Sequence, residues 1–210
     1  MLRGYRWAGA PLGRHVLFLW GHDPDGQSLK ERLYHAAFNR RILNAYVMGE
    51  HNMAAYADAI DADRPRTLVG YVSPLVRLAK WLDAHGRRVH APEALICAAE
   101  PLYPHHRALL ERVFGCRVHN TYGCREVMLV ASECDVCEGL HVNADHLHVE
   151  LGAPAYETGH AVPREVLITD LHNYGMPLMR YANGDIATEK HGNCTCGRGL
   201  PLLASVDGRR

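Results

Sequence analysis

Two groups of residues in this sequence have types and spacings that suit chemistry. The first is Asn120-Thr121-Tyr122-Gly123-Cys124-Arg125-Glu126, which follows the β-type run Cys116-Arg117-Val118-His119. A strand ending in an aromatic ring, a glycine and, three residues later, an acid can seat a nucleotide. The ring stacks on a base, the glycine admits close backbone approach, and the carboxylate holds Mg²⁺ beside phosphates. The same seven residues also fit a plain strand-to-loop turn with a buried Tyr and a solvated Glu. The second group is cysteine: Cys134-Asp135-Val136-Cys137, then Gly139-Leu140-His141, then Cys194-Thr195-Cys196-Gly197. Two close pairs of soft ligands with a histidine nearby can complete a tetrahedral zinc site that bridges two β segments.

Composition limits what surrounds these groups. Lys+Arg and Asp+Glu both number 23 among 210 residues, so no broad electrostatic footprint exists for nucleic acid or an anionic membrane. That balance weighs against a zinc-ribbon nucleic-acid binder. No apolar run approaches bilayer length and the first residues lack a signal-peptide core, so a cytoplasmic location is expected. The seven cysteines are an odd number, four of them in tight pairs. In a reducing compartment this pattern suggests metal more than disulfides.

The elements that must position the two groups alternate in the first part of the chain. Residues 1–14 read as a polar lead-in, His15–Gly21 as a buried strand and Gly21–Gly26 as a loop. Ser28 caps a helix to about Leu43, with Leu29, Leu33, Ala36 and Ala37 on one face. A second helix spans Asn52 to Ala62. Thr67–Tyr71 reads as a strand, Ser73-Pro74 as the N-cap and first position of a helix that Gly86 stops, and Leu95–Ala99 as another strand. A helix over Pro104–Phe114 then leads into Tyr122. Such alternation predicts a mostly parallel sheet flanked by helices, whose ligands gather at strand carboxyl ends, where Ala98–Pro101 and Tyr122-Gly123 are expected. Beyond residue 128 the runs Val142–Leu151, Glu165–Asp170 and Met176–Thr188 lack helical period. The fold class is therefore α/β, with residues 1–127 as an α/β portion and 128–210 as a β-rich portion.

Several separated motifs also agree with one family. Ala98-Ala99-Glu100-Pro101-Leu102, Asn120–Glu126, Arg180-Tyr181-Ala182-Asn183-Gly184-Asp185 and Val206-Asp207-Gly208-Arg209 make the chain resemble the adenylate-forming acyl-CoA ligases, in particular the phenylacetate–CoA ligase-like family. The resemblance implies the central part of that family's large N-terminal domain. It implies Tyr122 stacking on adenine, Ala99 and Glu100 lining the adenine and acyl pockets, Glu126 helping to hold Mg²⁺, and Asp185 bonding the ribose hydroxyls. Asn120 and Gly123 share the Tyr122 motif, and Arg209 lies where the large domain hands over to a mobile lid. Among zinc-bearing members it implies Cys134, His141, Cys194 and Cys196 as ligands of a structural ion, with Cys137 competing with His141 for the fourth place.

The activity implied is AMP-forming acid–thiol ligation, with ATP, a small carboxylic acid and, as acceptor, CoA. Two departures qualify it. No Ser/Thr/Gly-rich phosphate loop is present, since Ala8–Gly13 has neither hydroxyl nor lysine, and no lid lysine follows Arg209. These 210 residues by themselves are therefore expected to be inactive, and a non-catalytic remnant that binds nucleotide or a protein partner is the alternative. Cys97, Cys116 and Cys124 read as small apolar residues, and Arg180 as either a phosphate contact or a structural ion pair.

Overall fold

The computed structural model describes residues 2–21, 28–156 and 162–209, which form two compact units, Leu2–His119 and Asn120–Arg210. In the first unit β1 (Val16–Trp20), β2 (Arg40–Asn44), β3 (Thr67–Tyr71) and β4 (Ala94–Ala98) pair in parallel in the order β2-β1-β3-β4. Parallel strands need crossovers, and helices α2 (Leu29–Ala37), α3 (Met53–Asp63) and α4 (Val72–Ala84) occupy the connections, with α1 (Leu2–Trp7) ahead of the sheet and α5 (Pro104–Phe114) after it.

Successive strand residues face opposite sides of the sheet, so the chain needs two cores. Leu17, Leu19, Leu68 and Leu95 pack beneath Ile60, Leu75, Leu78, Leu82, Leu110 and Phe114. Val16, Val69, Ala94 and Ile96 face the other way, onto Ala8 and Ala10. Each fully buried Leu or Ile there contributes about 1.5–3 kcal/mol. Helix α5 starts on Pro104 and ends where Gly115 turns left-handed at φ 66°, as its sequence predicts.

Three local expectations are corrected. Residues 1–14 are not an unstructured lead-in, because Leu2–Trp7 is helical. The Ser28 helix forms a full capping box with Glu31 but ends at Ala37. Asn39 adopts φ 51°, and Arg40–Asn44 becomes the edge strand, so Ile42 and Leu43 are strand residues. Leu29 and Leu33 are 71% and 62% exposed, and their stripe covers no core. Ser73 is not an N-cap, since Tyr71 holds that place and Ser73 donates instead to Glu100. Of the loop expected at Gly21–Gly26, residues 22–26 lie outside the described residues.

The second unit is antiparallel. Strands β5 (Arg117–Cys124, whose first three residues belong to the first unit), β6 (Met128–Glu133), β7 (Leu140–Val142), β8 (Leu147–Pro154), β9 (Arg164–Asp170), β10 (Tyr181–Glu189) and β11 (Leu202–Arg209) run in the order β5-β6-β7-β11-β10-β9-β8. Val130, Ala131, Val142, Leu147, Val166, Ile168, Ala187 and Leu203 form its core with Tyr122. Tyr122 thus lies inside a strand rather than beyond its end: β5 continues to Cys124, turns through residues 125–127 and returns as β6. Among the described residues no helix is long and apolar enough to cross a membrane.

Candidate nucleotide and metal sites

Strands β5, β10 and β11 carry the first candidate site. On β10, Asn183 and Asp185 flank Gly184, which has φ 82° within an irregular stretch between Ala182 and Ile186, and both side chains reach Tyr122 Oη. Asp185 stands opposite Arg209 in the β10–β11 register. Its Oδ1 accepts from Arg209 Nε at 3.0 Å. Its Oδ2 accepts from Tyr122 Oη at 2.9 Å and from Asn183 Nδ2 at 2.7 Å, and Asn183 Nδ2 also donates to Tyr122 Oη at 2.8 Å. The Asp185 amide donates back to Asn183 Oδ1 at 3.0 Å. The carboxylate of Asp185, a residue only 8% exposed as a whole, is thereby fixed in direction by three donors.

The surroundings shift the neighbouring groups. Burial, with Tyr122 only 7% exposed, raises its phenol well above the ordinary range, and the adjacent Asp185 carboxylate adds to the effect. Tyr122 is therefore a neutral donor at every physiological pH. At the tip of the β5–β6 hairpin, Glu126 Oε1 accepts from Tyr181 Oη at 3.2 Å. Its carboxyl is held below the usual range by its own amide, by the Cys124 thiol, by Tyr181 and by Arg209. Glu126 is ionised, exposed and able to receive a cation.

Other candidate residues have different local tasks. The Asn120 amide donates to Glu133 Oε2 at 2.7 Å. Gly123 has no room for a side chain, because a Cβ there would fall 2.3 Å from the Met128 carbonyl oxygen. Its lack of a side chain is needed by the hairpin. In the first unit, Ala99 sits at the carboxyl end of β4 with φ 66°, an uncommon conformation for a residue with a Cβ. Glu100 beside it accepts from both the amide and the hydroxyl of Ser73. Strain of this kind costs about 1–3 kcal/mol and clusters at ligand sites. The roles of Asn183 and Tyr181 are not legible in the sequence, because they depend on contacts with Tyr122 on β5 and with Glu126 at the hairpin tip.

The second candidate site lies at the loops joining β6 to β7 and β10 to β11. Ligand atoms of Cys134, His141, Cys194 and Cys196 all fall within 4.8 Å of one another. Cys134 Sγ and Cys194 Sγ are 3.7 Å apart, and Cys196 Sγ lies 3.5 Å from His141 Nε2. A zinc tetrahedron with Zn–S near 2.3 Å and Zn–N near 2.05 Å has S–S and S–N edges of about 3.8 and about 3.6 Å. The donor set therefore fits zinc in type and in separation. His141 is fully buried, and burial lowers its imidazole pKa, favouring the neutral form that binds metal. Burial raises the Cys194 thiol to about 11. It opposes ionisation of Cys196 too, but donation from the Arg198 backbone and side chain brings that thiol down to about 7. Cys137 stands outside the group, its thiol turned to the Cys134 carbonyl at 3.4 Å.

No family model matches the chain. In sequence it is similar to protein CapK of Staphylococcus aureus, with 28% identity over 72% of this chain and 33% of that protein. It is also 31% identical to phenylacetate-coenzyme A ligase of Thermus thermophilus, over 56% of this chain and 27% of the relative. The matches thus span about a third or less of these curated relatives. Among solved structures, an open conformation of 2-hydroxyisobutyryl-CoA ligase in complex with 2-HIB-AMP and CoA covers 99% of this chain and 47% of its own. The TM-score is 0.76 at 18% identity, a likeness of fold.

Proposed function

We propose that this chain, which has the adenylate-forming acyl-CoA ligase fold and sequence kinship to phenylacetate-coenzyme A ligase, provides the adenosine-binding part of an AMP-forming acid–CoA ligase. The observation that carries the reading is the Asp185 carboxylate, buried and aimed by Tyr122, Asn183 and Arg209 at one end of the β10–β11 pair. A carboxylate oriented in this way accepts from the vicinal hydroxyls of a ribose. Each such charge-assisted bond is worth about 1.5–3 kcal/mol. The adenine contact of Tyr122 rests on the family resemblance, and the ribose contact rests on geometry as well.

In the reaction proposed, an oxygen of the substrate carboxylate attacks the α-phosphorus of ATP, the bond to the bridging oxygen breaks, and pyrophosphate leaves. The CoA thiol then attacks the acyl carbonyl, losing its proton, and AMP departs with the bonding pair. Holding adenosine in register is the contribution of Asp185 and its partners. Ionised Glu126 would hold Mg²⁺, which when bound offsets phosphate charge. Cys134, His141, Cys194 and Cys196 would hold zinc, whose contribution is a structural cross-link between two loops.

A second reading, nucleotide binding without catalysis, is favoured by one feature: Ala8–Gly13, the nearest stretch to a glycine-rich loop, offers no hydroxyl or lysine to phosphates. An exchange assay separates the two once the chain is joined to the phosphate loop and lid of a related ligase. With ATP, labelled pyrophosphate and a panel of aryl and alkyl acids, ligation requires acid-dependent exchange into ATP, whereas the second reading gives AMP binding and no exchange. For these 210 residues alone we expect binding without exchange. Failure to bind AMP at millimolar concentration would contradict both readings.

A further inference from the structure

Resting on the zinc reading above, we infer that Arg198 is a positioning residue of the metal centre, the counter-cation that neutralises it and locks its two loops together. Zinc with three thiolates and a neutral imidazole carries one net negative charge, which is costly in a partly buried setting unless a cation stands beside it. Arg198 is that cation. Its amide donates to Cys196 Sγ at 3.5 Å. Its Nη1 reaches Oδ1 of Asp135 at 2.6 Å, one residue after Cys134.

Arg198 therefore touches a candidate ligand of one loop through its amide, while its guanidinium holds the flank of a candidate ligand in the other. Charge and register are supplied by one planar group, which a single ammonium reproduces only in part. Two other described contacts between the loops differ in kind. Glu138 accepts from the Thr195 amide at 3.3 Å and from its hydroxyl at 3.0 Å, adding an anion rather than removing one. Lys190, the other nearby cation, donates to the Glu138 carbonyl. Residues of this outer layer change metal affinity by about 10–100-fold when replaced.

The test uses cobalt(II) as a spectroscopic probe of the metal-free chain, with zinc affinity from chelator competition. Wild-type protein should take one Co²⁺ with the visible bands of a tetrahedral thiolate site, displaced by Zn²⁺. Arg198→Met keeps the aliphatic stem and should retain the same spectrum with zinc affinity lower by about 10–100-fold, while Arg198→Lys recovers most of it. Metal-free Arg198→Met and wild type should melt alike, which a merely packing role would not allow. Equal affinity for Arg198→Met and wild type overturns the role of Arg198 and leaves zinc standing. Equal losses in the Met and Lys variants overturn the charge role. No cobalt uptake by wild type overturns the zinc reading and this inference together. Should Arg198→Met fail to fold, Arg198→Gln takes its place: it should lower zinc affinity in the same way, and an unchanged affinity overturns the proposal.

Discussion

Arg209 and Asp185 face each other across β10 and β11, and Arg209 Nε donates to Asp185 Oδ1 at 3.0 Å. The pair is asymmetric: the arginine side chain is 74% exposed and the carboxylate 11%. The exposed partner is screened by water and adds little to stability. The buried partner is held by Tyr122 and Asn183 from the inside, so its orientation does not depend on Arg209 alone.

That arrangement makes Tyr122→Phe informative. The change keeps the ring but removes the hydroxyl that donates to Asp185 and accepts from Asn183. A buried acceptor losing one neutral donor costs about 1–2 kcal/mol. Chemical unfolding should show that loss, and AMP affinity should fall several-fold with adenine affinity unchanged. A stability equal to wild type would mean that the hydroxyl contributes nothing to holding the carboxylate.

Purified without chelator, the chain should carry close to one zinc. Cys194→Ser should remove it and lower the melting temperature by roughly 10 °C, because metal binding is coupled to folding and is worth several kcal/mol. Metal analysis by emission spectrometry decides the first point and a thermal melt the second. Zinc-free protein of full stability would contradict the assignment.

Gly123→Ala probes the hairpin that presents Glu126. Its added carbon would meet the Met128 carbonyl oxygen at 2.3 Å, and backbone cannot move as a side-chain end can. The strands must separate, at about 2–3 kcal/mol. Unfolding by urea measures the loss. A neutral substitution would show that the β5–β6 pairing is looser than the structure has it.

Burial pushes the Cys116 thiol up to about 12, and nearby Glu111 reinforces it. At pH 8 its thiolate is a minute fraction of the total, so iodoacetamide should leave Cys116 unmodified in folded protein and label it once urea is added. Bound zinc should protect Cys134, Cys194 and Cys196 over the same period. Peptide mass spectrometry reads all four sites, and rapid native labelling of half-buried Cys116 would contradict its raised pKa.

Much of the first unit is legible in the sequence because its signals are local. Pro104 and Gly115 bracket α5, and the short apolar runs at 16–20, 67–71 and 94–98 become parallel strands. The Ser28 helix shows the limit. Its cap is where the sequence puts it, yet the spacing of Leu29, Leu33 and Ala36 does not reveal that they stay exposed among the described residues or that Asn39 turns left-handed. Pairing decided other points. Strand β5 outlasts its expected end because β6 folds back on it, and Gly123 answers to Met128 across that hairpin. Cysteine spacing reveals two pairs, but only the meeting of two distant loops puts His141 rather than Cys137 beside them. Arg198 carries no motif, and its place depends on Asp135, 63 residues earlier.

The central claim is that Asp185 reads a ribose, and calorimetric titration of AMP and of adenine into wild-type and Asp185→Ala protein tests it most directly. Stacking and one charge-assisted contact are each worth about 1–3 kcal/mol, so AMP should bind wild type weakly, at roughly millimolar level. Asp185→Ala should weaken AMP about 10-fold or more and leave adenine nearly unchanged, because only AMP has the ribose. Equal losses for AMP and adenine would remove Asp185 from the ribose and contradict the assignment of this face as an adenosine site.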